Sequence, residues 1–376
     1  MLKIMHTADI HLDSPFSGLP PRLAEARRND LRAAFTSMMT YAKMTGVDVL
    51  LIAGDLFDSG TVTRDTVRLL IREFETFGRP VFISPGNHDP AFPNSVWKRV
   101  SFPANVHVFD SEELSAVDLF EPDDKNPGVT VYGWAFTAPD LDTVPITGKR
   151  VADTSRINLL SCHCDMTSPR SRDCPVLPVH LEAFGMDYAA LGHIHNPPPP
   201  GRGNRWCYPG CLEPRGFDEL GPKGALIVEI EKKPGSESEV RLKKLRFSKR
   251  RYEKSELDLT GAETMTDAAD AVKRAVKANG WGEDTLLSLR LTGEIPPAFV
   301  IDTEALEETD AGLAALCVED RTRPAADPAK LAVDPTIRGA VYRQLKPLLE
   351  SEDEREREVA TRALRYALSA VSGTGV

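Results

Sequence analysis

Five short stretches of this chain place oxygen- and nitrogen-bearing side chains directly after apolar runs. TADIH carries Asp9 and His11, and GDLFD carries Asp55 and Asp58. GNHD carries Asn87 and His88, LLSCHCD carries His163, and LGHIH carries His193 and His195. Each has an ordinary reading when taken alone. Asp caps helices and fills turns, Asn87 suits a left-handed turn beside Gly86, and a single His is often a satisfied core residue. Taken together they are hard to place by chance, since five of the eight histidines fall in these motifs. Carboxylate, imidazole and amide oxygen form a donor set for Mn²⁺, Fe²⁺ or Zn²⁺. No thiolate cluster accompanies them, which argues against a structural zinc knuckle. Cys162 and Cys164 flank His163. Successive residues of a strand face opposite ways, so both cysteines lie on the side opposite His163 and read as packing residues. Seven candidate ligands, Asp9, His11, Asp55, Asn87, His163, His193 and His195, are too many for one tetrahedral ion. They suit two ions sharing a carboxylate, and Asp55, at a glycine turn after a core strand, is the natural bridge.

The elements that must position these groups follow from periodicity. Residues 2–6 read as a strand, and 21–45 as a helix with Leu31, Phe35, Met38 and Ala42 on one face and Gly46 as its stop. A strand is expected at 48–53, a helix at 62–77 ending at Gly78, and a strand at 79–84. Further strands are expected at 106–109, 129–133, 156–161, 187–191, 205–208, 224–230 and 239–247. The alternation predicts an α/β fold of one or two sheets flanked by helices, with ligands at the carboxyl ends of strands. Beyond about residue 250 a strand (252–259), a helix (267–278, Asp267 near its N-cap) and strands near 285–292 and 298–302 suggest a small α+β domain. Residues 320–335 read as a linker. Two amphipathic helices follow, one with Ile337, Val341, Leu345 and Leu348 on a stripe, the other with Val359, Ala363, Tyr366, Ala367 and Ala370.

Bulk properties narrow the class. With 376 residues, a large domain plus a smaller one is expected. Hydrophobic content of 41% and charged content of 27% are those of a soluble globular protein. No apolar run approaches the roughly 18–20 residues of a membrane span. The first residues lack a signal-peptide pattern. The six cysteines are scattered without a CxxC pair, so a cytoplasmic location is expected. A net charge of −10 argues against a surface coated for nonspecific nucleic-acid binding, although RLKKLRFSKRR (241–251) is locally basic.

The ordered set DxH, GDxxD, GNHD, an isolated His and GHxH resembles the calcineurin-like metallophosphoesterase signature. HTADIHLDSPFSGL, GDLFD and YPGCLEPRGFDELGPKG narrow the resemblance to the SbcD-type DNA-repair exonucleases, nearest their YhaO-like branch, over about 1–250. The resemblance implies a sandwich of two packed sheets flanked by helices over 1–250. A small α+β capping domain (251–320) and a linker with C-terminal helices (321–376) would follow. It implies that Asp9, His11, Asp55 and His195 hold one metal and that Asp55, Asn87, His163 and His193 hold the other. His88 would be the catalytic residue that binds no metal. Asp58 occupies a position where some relatives carry histidine, and it stays between two readings, an orienter of a ligand or a turn residue. The implied activity is manganese-dependent exonuclease action on DNA with a coiled-coil ATPase partner of the SbcC or YhaN kind. Relatives dimerise, although the sequence shows no interface. A phosphomonoesterase or small-molecule phosphodiesterase shares the same chemistry and remains an alternative, as does a binding module that keeps its metals for structure. An intact GNHD weighs against the last.

Overall fold

Four short strands rich in apolar residues seed the first sheet. In the computed structural model, β1 (Leu2–Thr7), β2 (Val49–Ile52), β3 (Val81–Ile83) and β4 (Val106–Val108) run parallel. The described residues are 1–58, 62–122, 126–233, 236–297, 299–325 and 328–371. Every residue of β2 and β3 is buried, as expected of parallel strands covered on both faces. β10 (Gly224–Glu231) adds antiparallel to β1, and β11 (Glu239–Arg246) adds to β10, giving the order β11-β10-β1-β2-β3-β4. A second sheet has the order β5-β6-β7-β8-β9. It comprises β5 (Ser115–Phe120), β6 (Val129–Gly133), β7 (Ile157–His163), β8 (Tyr188–Gly192) and β9 (Trp206–Cys207). Only β5 is antiparallel to its neighbour. The two sheets share one core, in which Ile4 and Leu51 of the first and Leu159 and Tyr188 of the second are fully buried.

Helix α1 (Pro21–Met44) buries the expected stripe of Leu31, Phe35, Met38 and Ala42 completely. Each large apolar side chain so buried contributes about 1.5–3 kcal/mol. α2 (Arg64–Phe77) starts two residues later than its pattern, because the Thr63 side chain caps it by accepting from the Thr66 N–H. It stops at Gly78, whose φ of 62° only glycine adopts without strain. Short helices α3 (Val96–Arg99) and α4 (Pro178–Phe184) complete this unit, which spans Met1–Arg251.

The second unit, Tyr252–Val376, is built on β12 (Arg251–Asp258), β13 (Thr285–Thr292) and β15 (Ala315–Asp320), with β14 (Glu294–Ile295) paired to β16 (Arg323–Pro324). Its helices are α5 (Met265–Ala278), α6 (Thr303–Glu307), α7 (Pro328–Val333), α8 (Ile337–Leu349) and α9 (Glu354–Val371). Several expectations change here. α5 begins at Met265, because Thr264 is the cap and Asp267 closes a capping box onto the Thr264 backbone N–H. The strand expected at 298–302 does not form. Residue 298 lies outside the described residues, and 299–302 run irregularly while burying Phe299 and Ile301. The expected linker at 320–335 contains β16 and α7 and buries Leu331. α9 turns a neighbouring stripe inward, Ala360, Leu364 and Leu368, and leaves Val359 and Tyr366 exposed. Both stripes are apolar at helical spacing, and the inward one carries the two leucines. In α8, Val341 and Leu345 pack beside buried Tyr342, while Ile337 and Leu348 stay exposed.

Candidate metal centre

The carboxyl ends of five parallel strands, three from one sheet and two from the other, converge on one site. Asp9 and His11 follow β1, Asp55 follows β2, and Asn87 and His88 follow β3. His163 is the last residue of β7, and His193 and His195 follow β8. The loops after β1 and β2 are pinned together: Ile10 N and His11 N donate to Asp55 O at 2.9 and 3.0 Å, and Leu12 bridges to Phe57. The turn out of each strand is abrupt. Asp9, His11 and Asp55 sit at φ of 50°, 50° and 51°, and His193 at 112°. Non-glycine residues rarely occupy this region, at a cost of about 1–3 kcal/mol each, and such strain gathers at functional sites. Two glycines are forced by proximity. A Cβ on Gly86 would collide with the Asp55 carboxylate, and one on Gly192 with the Ala53 carbonyl.

Asp55 lies between two groups of donors. On one side His195 Nε2 is 3.3 Å from His11 Nε2 and 3.4 Å from Asp9 Oδ1, and His11 Nε2 is 3.7 Å from Asp55 Oδ2. On the other, His163 Nε2 is 3.4 Å from Asp55 Oδ2 and 2.9 Å from Asn87 Oδ1. His193 stands edge-on to His163, with ring centres 5.2 Å apart, and its Nε2 is 3.9 Å from Asp173 Oδ2. Its backbone N–H donates to both oxygens of Asp9 at 3.1 Å. Asp9, His11, Asp55 and His163 are buried, and His193 and His195 are partly buried.

The outer nitrogen of each of three imidazoles faces an acceptor. His11 Nδ1 is 2.9 Å from Asp58 Oδ1, His195 Nδ1 is 2.6 Å from Glu219 Oε1, and His163 Nδ1 is 3.1 Å from the Ala53 carbonyl. Such partners hold the proton on Nδ1 and aim the Nε2 lone pair inward. Lone pairs of His11 and His195 then face one another and the oxygens of Asp9 and Asp55. That arrangement repels itself and fits divalent cations, which take neutral imidazole and carboxylate donors. Without a cation, a proton does the same work. Burial would lower His195, but its hydrogen bonds to Asp9 and Glu219 outweigh burial and hold it at about 10. Burial would raise Asp58, yet His11, Arg215 and His88 hold its carboxyl at about 2.

Contacts place residues whose roles the sequence left open or hid. Asp58 supports His11 and is more than a turn residue. Glu219, inside the quoted EPRGFDELG stretch, supports His195 in the same way. Asp89, the last residue of GNHD, ties two loops together. Its Oδ1 accepts from Gly86 N at 2.7 Å, and its Oδ2 accepts from Leu56 N and Phe57 N at 2.9 and 3.2 Å. Burial and the neighbouring Asp55 charge push the Asp89 carboxyl well up. His88 does not converge with the other donors on Asp55. Its backbone N–H donates to Asp55 Oδ1 at 3.1 Å, while its side chain is 46% exposed and stands perpendicular to the His11 ring. The basic run 241–251 forms β11 and its exit. Arg241 there lies 2.8 Å from Glu239, and Arg250 lies 3.3 Å from Asp30.

Comparison with known proteins agrees with this geometry. A family profile described as "Calcineurin-like phosphoesterase" matches residues 2–197. The chain is 28% identical to the "Uncharacterized metallophosphoesterase YhaO" of Bacillus subtilis, over 82% of this chain and 78% of that protein. It is 26% identical to the "DNA double-strand break repair protein Mre11" of Aeropyrum pernix, over 74% and 69% respectively. It is 25% identical to an SbcCD nuclease subunit of Staphylococcus epidermidis, over 61% and 66%. With its sheets, strand-end donors and the profile match in agreement, the chain belongs to the calcineurin-like phosphoesterase family, whose members use a dinuclear metal centre.

Proposed function

We propose that this protein is a two-metal phosphodiesterase acting on DNA, an exonuclease that works with a coiled-coil ATPase of the SbcC or YhaN kind. The observation that carries the metal reading is the pair of inward-facing donor groups sharing Asp55. Asp9, His11, Asp55 and His195 would hold one ion, and Asp55, Asn87, His163 and His193 the other. Manganese is the proposed metal, and Fe²⁺ or Zn²⁺ suits the same donors. When bound, the two cations supply Lewis-acid charge that neutralises a phosphodiester and eases deprotonation of the attacking water.

The protein's own groups do the positioning. Asp58, Glu219 and the Ala53 carbonyl fix the three imidazoles in one tautomer, and the His88 N–H orients Asp55. His88 keeps its ring off the shared carboxylate and half-exposed. From there it can stabilise charge on the phosphoryl oxygens or give a proton to the departing 3′ oxygen. DNA as substrate is supported by the names of two relatives, a double-strand break repair protein and a nuclease component. An ATPase partner is supported by the apolar residues that α8 and α9 leave exposed, Ile337, Leu348, Val359 and Tyr366. The test is one set of Mn²⁺ assays on double-stranded DNA, single-stranded DNA and p-nitrophenyl phosphate esters. Release of nucleotides from DNA ends supports the reading. Turnover of the esters with DNA left intact refutes the DNA assignment.

A further inference from the structure

One arginine joins the supports of His11 and His195 and touches neither His163 nor the carbonyl that holds it. Arg215 lies in the loop between β9 and β10. Its Nη1 donates to Asp58 Oδ1 at 2.6 Å, and its Nη2 donates to Glu219 Oε1 at 3.5 Å. Its backbone N–H also donates to Glu219 Oε2, at 2.6 Å. Those two side-chain acceptors are the same oxygens that face the imidazoles. Asp58 Oδ1 is 2.9 Å from His11 Nδ1, and Glu219 Oε1 is 2.6 Å from His195 Nδ1. The chain of contacts is therefore His11, Asp58, Arg215, Glu219, His195, and it closes at the 3.3 Å approach of the two Nε2 atoms. His163, on the other side of Asp55, leans on the Ala53 carbonyl instead.

We propose that Arg215 is a positioning residue that sets the affinity of one metal site and leaves the other alone, an inference that rests on the two-metal reading above. Two carboxylates from separate loops repel each other when both are ionised. A guanidinium fork holds them at a fixed spacing from two nitrogens set apart in one plane, whereas an ammonium reaches two acceptors only from a single nitrogen and imposes no such spacing. With the fork removed, Ser14 Oγ still donates to Asp58 Oδ2 at 3.2 Å and the residue-215 backbone N–H to Glu219 Oε2 at 2.6 Å, but the oxygen facing each imidazole loses its guanidinium partner and sets the tautomer less firmly. Loss of such a support typically weakens metal binding about 10–100-fold.

The experiment is a calorimetric titration of metal-free protein with Mn²⁺, comparing wild type with Arg215→Gln, Arg215→Lys and Asn87→Ala. Two ions should bind to wild type. Both Arg215 variants should bind one ion with unchanged affinity and the other about 10–100-fold more weakly. Arg215→Lys keeps the charge and most of the length, so it serves if Arg215→Gln does not fold, and its failure to rescue marks the fork geometry as the cause. Asn87→Ala should weaken the ion that the Arg215 variants leave unchanged. Equal weakening of both ions, or of neither, overturns the proposal, and so does full rescue by Arg215→Lys. Fewer than two ions on wild type overturns the two-metal reading itself, and this proposal with it.

Discussion

His6 makes the stability of the first unit depend on pH in a way that can be calculated. The ring is completely buried between the sheets, where Tyr188 Oη lies 2.8 Å from Nδ1 and the Leu191 carbonyl lies 3.2 Å from Nε2. A carbonyl only accepts, so Nε2 carries the proton and Nδ1 accepts from the tyrosine. Burial lowers the pKa from 6.5 to about 3, against smaller raising effects of Leu191 and Asp9. Because the folded value lies below the unfolded one, stability is full above 6.5 and falls as acid protonates the unfolded chain alone. The slope is about 1.4 kcal/mol per pH unit, so moving from pH 7 to pH 5 removes about 2 kcal/mol. Urea unfolding of wild type and His6→Gln at both pH values isolates this contribution, since every other titrating group is common to the two. Wild type should lose about 2 kcal/mol more than the variant over that interval. Parallel losses in the two proteins would refute the assignment.

Three further outcomes are expected. His88→Asn should keep both metal ions and DNA affinity while kcat falls about 10²- to 10⁴-fold, checked by metal analysis and turnover under saturating Mn²⁺. Val359→Asp combined with Tyr366→Asp should leave nuclease turnover unchanged and abolish co-purification with the cognate ATPase, because both side chains are exposed on α9. Chelation should lower the unfolding free energy by about 2.7 kcal/mol for each ion held at a hundred times its dissociation constant, measured by urea unfolding with and without Mn²⁺.

The candidate ligands were legible because each lies at or just past the end of an apolar strand, where both the run and the polar residue can be read locally. Their supports were not. Glu219 meets His195 across 24 positions, and Arg215 meets Asp58 across 157, so neither pairing leaves a local pattern. Asp89 was inside a recognised motif, yet its hydrogen bonds reach back 32 and 33 positions to Phe57 and Leu56. The backbone strain at Asp9, His11, Asp55 and His193 was hidden for a different reason: those residue types also occur at ordinary φ. Elements at the margins failed by composition. β5 is an edge strand inside an acidic stretch, with only Val117 and Leu119 packed against the core. In α9 two apolar stripes compete, and periodicity cannot say which one faces inward.

The division of the site between two sheets ties its chemistry to the packing beneath it. Asp9, His11, Asp55 and Asn87 come from the six-stranded sheet, and His163, His193 and His195 come from the five-stranded one. Neither sheet alone carries a complete set for either proposed ion. The contacts between sheets just below the site are polar and buried: His6 to Tyr188 and Leu191, and Ser84 Oγ to the Ser161 carbonyl at 2.9 Å. Buried hydrogen bonds of this kind cost more when one partner is left unpaired than they contribute when made, so they penalise small slips between sheets that an apolar interface would tolerate. A slip would separate His163 from Asp55, now 3.4 Å apart, and His195 from Asp9, also 3.4 Å apart. Metal binding and sheet registry are therefore linked. Ions that bind only the registered state stabilise it, and acid, by protonating His6 in the unfolded chain, lowers the stability of the state those ions require.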